Sequence, residues 1–257
     1  MNPINQAAQE LWNAQKAQKM IPPVRELITA TDIDAAYAVQ QINIQHRIDQ
    51  GEKVVGKKIG LTSFAVQKQL GVDQPDYGIL FESMQIENGE QLPYSDLMQP
   101  KAEAEIAFVM RTDLDGDIDI TDLIDAIDYA SASIEIVGSR IENWNIRITD
   151  TIADNASASH FVLGKKKMNI EELDLERCSM TMTKNGAVVS EGIGSACMDN
   201  PLNAALWLAK TMAKNGTPIK AGEILLSGAL GPMVPIESGD HFEATIEGLG
   251  NVSITVQ

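Results

Sequence analysis

The segment Pro100-Lys101-Ala102-Glu103-Ala104-Glu105-Ile106-Ala107-Phe108-Val109-Met110 changes character half-way along. Ile106 to Met110 is apolar at every position, the pattern of a strand buried on both faces. Ahead of it the residues alternate, so Lys101, Glu103 and Glu105 share one face and Ala102, Ala104 and Ile106 the other. Two carboxylates therefore leave the same side of a strand whose continuation is core. Residues i and i+2 lie about 6.6 Å apart along a strand, close enough for two glutamates to converge on one cation. Without a cation or a proton they repel, at a cost that grows with burial. A solvated strand end is the plainer reading of an isolated Glu-x-Glu; the unbroken apolar run behind this one argues for burial.

Ser131 to Val137 reads as a second strand of the same kind. Ile134 and Ile136 share one face, and Glu135 shares the other with Ser133 and Val137. A lone glutamate in an apolar strand is expensive. Beside Glu103 and Glu105 it completes a three-carboxylate oxygen site, which suits Mg²⁺ or Mn²⁺ rather than zinc. Asp113, Asp115 and Asp117 invite a calcium reading, but the glutamate expected downstream at EF-hand spacing is missing, and a solvated loop is the better assignment.

Val54 to Ser63 reads as a strand running into a glycine turn. Lys57 and Lys58 must point to opposite faces, so only one faces a site, and solvated charge is the usual fate of such a pair. Gly56 and Gly60 bracket them, which suggests backbone that something approaches closely. Gly71 to Gly78 is turn-rich, and its Asp76, next to the short strand Ile79 to Phe81, is either a turn residue or a base. Asp154 to Ser159 is a polar loop of small residues with N–H and hydroxyl groups to offer. His46, His160 and His241 are assigned packing or strand-start roles.

The remaining elements look like scaffolding. A helix is expected over Asn5 to Met20, stopped by Pro22-Pro23. A second is expected from a Thr31 cap, with Ile33, Tyr37, Ile44 and Ile48 on one face and Gly51 as its stop. Phe64 to Leu70 is a short helix, and Thr121 caps another through about Ala130. Trp144 to Asp150 alternates. From Leu173 the pattern is mostly β, with Asn185-Gly186 as a hairpin turn and a helix from Pro201 to about Lys214.

At 257 residues the chain suits one large domain, a helical region 1–53 leading into a β-rich core 54–257. Its 44% apolar and 22% charged residues are those of a soluble globular protein. No transmembrane span and no secretion signal is visible, and the two cysteines, Cys178 and Cys197, read as reduced buried thiols; the cytoplasm is the expected compartment. A net charge of -16 disfavours nucleic acid as a partner. It also repels small anions, so a site for one needs a local positive centre.

Six stretches in this order carry a resemblance: Gly56 to Ser63, Gln74 to Gly78, Pro100 to Glu105, Ile134 to Val137, Ser139 to Ile141, and Ile148 to Ser157. Together they resemble the hydratase/decarboxylase branch of the fumarylacetoacetate hydrolase superfamily, over nearly the whole chain from about residue 25. The resemblance implies an α+β fold: a large mixed, strongly curved sheet with helices packed outside. It places metal ligands on Glu103, Glu105 and Glu135, an active-site lysine on Lys58, a loop acid on Asp76, and substrate contacts on Leu61 and Ser157. The chain departs from the pattern at Lys57, at Gly138 and at position 159. Homo-oligomers are usual in that branch, and an assembly with the next enzyme of the pathway is compatible with it.

The form Lys58-Ile59-Gly60 and the stretch Asn143 to Asp150 resemble the hydratases of the branch. These imply metal-dependent addition of water to 2-hydroxypenta-2,4-dienoate (2-oxopent-4-enoate in its keto form), giving 4-hydroxy-2-oxopentanoate in meta-cleavage of aromatic compounds. The alternative within the branch is decarboxylation of 4-oxalocrotonate. From another class, the chain is a catalytically silent oligomeric partner of such a decarboxylase; the intact glutamates and lysine argue against that.

Overall fold

An apolar strand with carboxylates on one face needs neighbours on both edges and a core against its other face. The computed structural model, which describes residues 2–70 and 72–257, supplies both; the turn expected to open at Gly71 begins outside those residues. The helices are α1 (Pro3–Ala17), α2 (Arg25–Ile28), α3 (Ile33–Asp49), α4 (Phe64–Leu70), α5 (Ile120–Ala126), α6 (Ile148–Ala153) and α7 (Pro201–Lys214). The strands are β1 (Val54–Gly60), β2 (Asp76–Phe81), β3 (Gln85–Ile86), β4 (Gln91–Leu92), β5 (Lys101–Met110), β6 (Ile127–Val137), β7 (Ala158–Leu163), β8 (Ser179–Lys184), β9 (Ala187–Ile193), β10 (Ile224–Ala229), β11 (Val234–Pro235), β12 (His241–Ile246) and β13 (Gly250–Val256).

The fold is α+β. The main sheet runs β2-β1-β10-β5-β6-β7-β3, with β11 added on β5. It is mixed, since β1 lies parallel to β10 and β3 to β7 while the other pairs are antiparallel. A five-stranded sheet, β4-β13-β12-β8-β9, packs against it. The core between them joins Ala104, Ile106, Ile134 and Ile136 to Phe242, Val252 and Ile254. That packing fixes which way β5 and β6 face: the alanine and isoleucine side meets the second sheet, and the carboxylate side is left for the opposite surface.

The helices begin where short polar side chains satisfy their first amides. Asn2 caps α1, Asp32 caps α3, Asp119 caps α5 and Asn200 caps α7. Two expected caps are thus displaced, Thr31 by Asp32 and Thr121 by Asp119. The first helix also stops at Ala17, leaving Met20 exposed beyond it. Helix α3 buries Ala35, Ala36, Val39, Gln40 and Ile44, while Ile48 is exposed. Helix α5 ends at Ala126 because Ile127 already pairs with Met110 as the first residue of β6. The alternation from Trp144 to Asp150 is not a strand: Asp150 accepts from the Arg147 amide and starts α6.

Gly56 and Gly60 do mark close approaches. A Cβ on Gly56 would overlap the Ile224 carbonyl of the paired strand, and one on Gly60 would overlap the Asp76 carboxylate. Gly56→Ala should therefore force β1 and β10 apart and cost about 1–3 kcal/mol, the scale of overpacking in a closed interior. A urea midpoint for Gly56→Ala equal to that of the wild type would show that the strand pair yields freely.

Candidate active site

The antiparallel register of β5 and β6 sets Glu103 directly opposite Glu135 and Glu105 opposite Ser133. Like charges in that relation destabilise a sheet unless something stands between them. One oxygen from each of Glu103, Glu105 and Glu135 lies within 4.8 Å of the others. Glu105 and Glu135 are fully buried and Glu103 is half-buried. Oε1 of Glu105 and both oxygens of Glu135 have no hydrogen-bond partner among the described residues. Burial first, then the adjacent carboxylates, hold Glu105 well above the usual carboxylate range. Burial lifts Glu135 to about 7 against the pull of Lys58, and Glu103 is raised by burial too. Orphaned, mutually repelling oxygens at this spacing fit a hard divalent cation.

Lys58 reaches this cluster from β1. In a flat sheet β1 and β6, three strands apart, would be about 14 Å from each other; the curl of the sheet brings Lys58 Nζ to 3.2 Å from Glu135 Oε2. Nζ also donates to the Ala156 carbonyl at 3.0 Å. Burial would lower this ammonium, but the fields of Glu135, Asp76, Glu103 and Glu105 more than reverse that and hold it above its ordinary value. Asp76, paired across β1–β2 with Gly60, is buried, its oxygens without hydrogen-bond partners among the described residues. Burial raises it to about 6, with Lys58 pulling the other way.

Lys57 does point to the other face, as the pleat requires, yet it is not solvated. It is buried against Glu223, Nζ 2.7 Å from both carboxylate oxygens. Ser157 is buried beside the cluster: its Oγ lies 3.1 Å from Thr151 Oγ1, and its carbonyl accepts from Gly138. Leu61 follows Gly60 in the left-handed region (φ 57) and packs toward the N-terminal helices rather than onto the carboxylates. His160 lies within β7 with Nδ1 2.9 Å from Ser159 Oγ, and burial lowers it to about 4, so its ring is neutral. His241 is exposed and bonds Thr255.

Several residues that shape the site carry no role in the sequence reading. At the β10 irregularity beside Ser227, Gly228 (φ 104) turns its amide onto Glu105 Oε2 at 2.9 Å; a glycine inside an apolar strand is the signal for such a bulge. The loop Asn155-Ala156-Ser157 has three left-handed residues in succession, which is how the Ala156 carbonyl comes to face Lys58. Asn155 holds that loop to the edge of the sheet, accepting from Ile79 N at 2.8 Å and donating to Ile79 O at 2.9 Å. Arg140 clamps it from behind by an ion pair with Asp154. A cavity of about 420 Å³ lies further behind, between α1, α3 and β7, and none of Lys58, Asp76 or the three glutamates lines it.

A curled mixed sheet thus gathers three carboxylates, a lysine and an aspartate into one buried cluster whose glutamate oxygens are spaced to fit a divalent cation. Residues 52–257 match the family described as fumarylacetoacetate (FAA) hydrolase C-terminal, and the chain belongs to that family. It is 53% identical over 97% of its length, and 94% of the relative's, to a Pseudomonas putida F1 protein named TodF product hydratase. It is 51% identical over 99% of its length, and 97% of the relative's, to a Burkholderia vietnamiensis protein named 2-keto-4-pentenoate hydratase. Among solved structures it matches 4-oxalocrotonate decarboxylase from Pseudomonas putida G7, complexed with magnesium and adipate, at TM-score 0.94 and 34% identity over 99% of this chain and 97% of that one.

Glu103→Gln keeps the shape of the side chain and removes one charge from the cluster. Mn²⁺ titration should show affinity reduced by at least about 10²-fold, at or beyond the upper end for outer-shell changes. The metal-free variant should melt no lower than the wild type, because a repulsion across the strand pair is gone. Wild-type Mn²⁺ affinity in Glu103→Gln would take Glu103 out of the centre.

Proposed function

We propose that this chain is a metal-dependent hydratase that converts 2-hydroxypenta-2,4-dienoate and water into 4-hydroxy-2-oxopentanoate. The observation that carries the reading is the convergence of Glu103, Glu105, Glu135, Lys58 and Asp76 in one buried cluster, in a chain about half identical to named hydratases. The three glutamates would hold a divalent cation, Mg²⁺ or Mn²⁺, which supplies Lewis acidity toward the 2-oxo acid end of the substrate.

Water is added across the substrate in two stages. The C2 hydroxyl loses its proton and a proton is added at C5, giving a ketone conjugated to the C3–C4 double bond. Hydroxide then forms its bond at C4 and a proton is placed on C3. Lys58 sits where negative charge develops on the C2 oxygen and stabilises it. The charge balance calls for such a cation: three carboxylates and one divalent ion sum to about -1, and the substrate brings a further carboxylate. Asp76, raised to about 6 by its burial, is the group that takes and returns protons near neutrality. Ser157 and the Ala156 loop line the same cluster.

A decarboxylase of the same branch is the second reading, favoured by the likeness to 4-oxalocrotonate decarboxylase. Its lower identity, 34% against 51–53%, places it second. No helix among the described residues is long and apolar enough to cross a membrane; we assign the protein to the cytoplasm, as a homo-oligomer able to meet the next pathway enzyme.

Offered both substrates with Mg²⁺, the protein should consume dienol absorbance without releasing CO₂; CO₂ as the main product would install the decarboxylase instead. Lys58→Met should lower kcat by at least about 10²-fold, the scale of one acid/base or electrostatic group. Lys57→Met should keep kcat but lose about 3 kcal/mol of stability, because Glu223 is left without its buried partner. If Lys57→Met is the inactive variant and Lys58→Met the active one, the assignment of the lysine is wrong.

A further inference from the structure

We propose that Lys101, held over the face of Trp144, is the cationic docking point at the mouth of the site, and that it sets how tightly the acid substrate is captured rather than how fast it reacts. The inference rests on the proposed function, in which the substrate is a carboxylate anion.

Lys101, Glu103 and Glu105 lie on one face of β5, each about 6.6 Å from the next. Along that face burial falls outward: Glu105 is fully buried, Glu103 and Lys101 only partly. Lys101 is therefore the first of the three side chains passed on the way in. Its ammonium lies 4.2 Å from the centre of the Trp144 ring. That ring is itself fixed, for the indole N–H donates to the Gln99 carbonyl at 3.0 Å, and Gln99 Nε2 donates to the carbonyls of Ser139 and Ile141. Gln99, Asn143 and Trp144 all have left-handed backbone, φ 50, 57 and 51. Bulky residues are strained there, and such strain persists where the surrounding structure enforces it.

The other cations near the carboxylates are committed. Lys58 is engaged by Glu135 and Ala156, and Arg140 by Asp154. Among the described residues Lys101 has no carboxylate within 4.0 Å and no hydrogen-bond acceptor, only the aromatic face. An aromatic face stabilises a cation without using its N–H donors. Those donors have no acceptor among the described residues. A protein of net charge -16 repels an incoming anion over most of its surface. A fixed ammonium at the mouth reverses that field locally. Charges so placed act on capture and on its salt dependence more than on the chemical step.

The test uses the Mg²⁺-loaded protein and two readouts: steady-state kinetics with the dienoate, and calorimetric binding of 2-oxopentanoate, a saturated 2-oxo acid with no carbon–carbon double bond to take up water. Lys101→Met should raise KM and the Kd of 2-oxopentanoate about tenfold at low salt while kcat stays within about twofold. The salt dependence of kcat/KM should flatten, and Mg²⁺ should bind at least as tightly as in the wild type. Lys101→Arg, which keeps the charge over the ring, should restore capture, and Trp144→Leu should lose part of it. An unchanged Kd, or a loss of kcat at unchanged KM, would overturn the proposal. Weaker Mg²⁺ binding would do so as well, by showing that Lys101 acts through Glu103. If the dienoate is not turned over at all, the hydratase reading fails while the Kd comparison still decides the role of Lys101.

Discussion

Glu103 faces Glu135 across the β5–β6 ladder, with Glu105 one step along. Everything else about the site follows from keeping those three carboxylates together inside a sheet. Each buried charge would separately favour protonation or a different register. The register cannot slip, because a one-residue shift would turn Ala104, Ile106, Ile134 and Ile136 away from the second sheet. The hydrophobic core thus holds the carboxylates in a relation that they would not choose. That stored repulsion is what gives the cluster its appetite for positive charge.

The scaffold answers in graded ways. The curl of the sheet carries Lys58 across three strands to Glu135, and the bulge at Gly228 turns one backbone amide onto Glu105. Neither neutralises the set, and Oε1 of Glu105 and Oε1 of Glu135 remain without a partner among the described residues. Meanwhile the loop Asn155 to Ser157, awkward in its backbone, is held on both sides, by Asn155 on Ile79 and by Arg140 on Asp154. The ammonium of Lys58 is placed by that loop as much as by its own strand.

How much of this could be read from the chain depended on the range of the interaction. The glutamate faces, the strand beneath them and the opposed directions of Lys57 and Lys58 follow from a period of two, and the structure keeps them. The family likeness was legible in the order of the motifs. The burial of Lys57 was not, because its partner Glu223 lies 166 residues away. The stretch from Trp144 to Asp150 alternates as a strand would, but Asp150, buried against Arg25 and the Arg147 amide, turns it into a helix. Thr121 gave way to Asp119 as a cap because a carboxylate accepts from two amides, those of Thr121 and Asp122. The bulge at Gly228 and the clamp of Arg140 depend on pairings between distant segments, which a local pattern does not encode.

Asn155 couples to Ile79 as one residue of a strand couples to the next, but through its side chain: the carboxamide oxygen faces an N–H and the nitrogen faces a carbonyl. Only a group with both polarities in one plane can do this. Aspartate, isosteric in every other respect, has two acceptors, and one of them would be set against the Ile79 carbonyl. Spontaneous hydrolysis of that amide, the common slow ageing reaction of asparagine, would therefore unfasten the loop that presents the Ala156 carbonyl to Lys58. A single lost nitrogen at the edge of the sheet would reach the centre of the site.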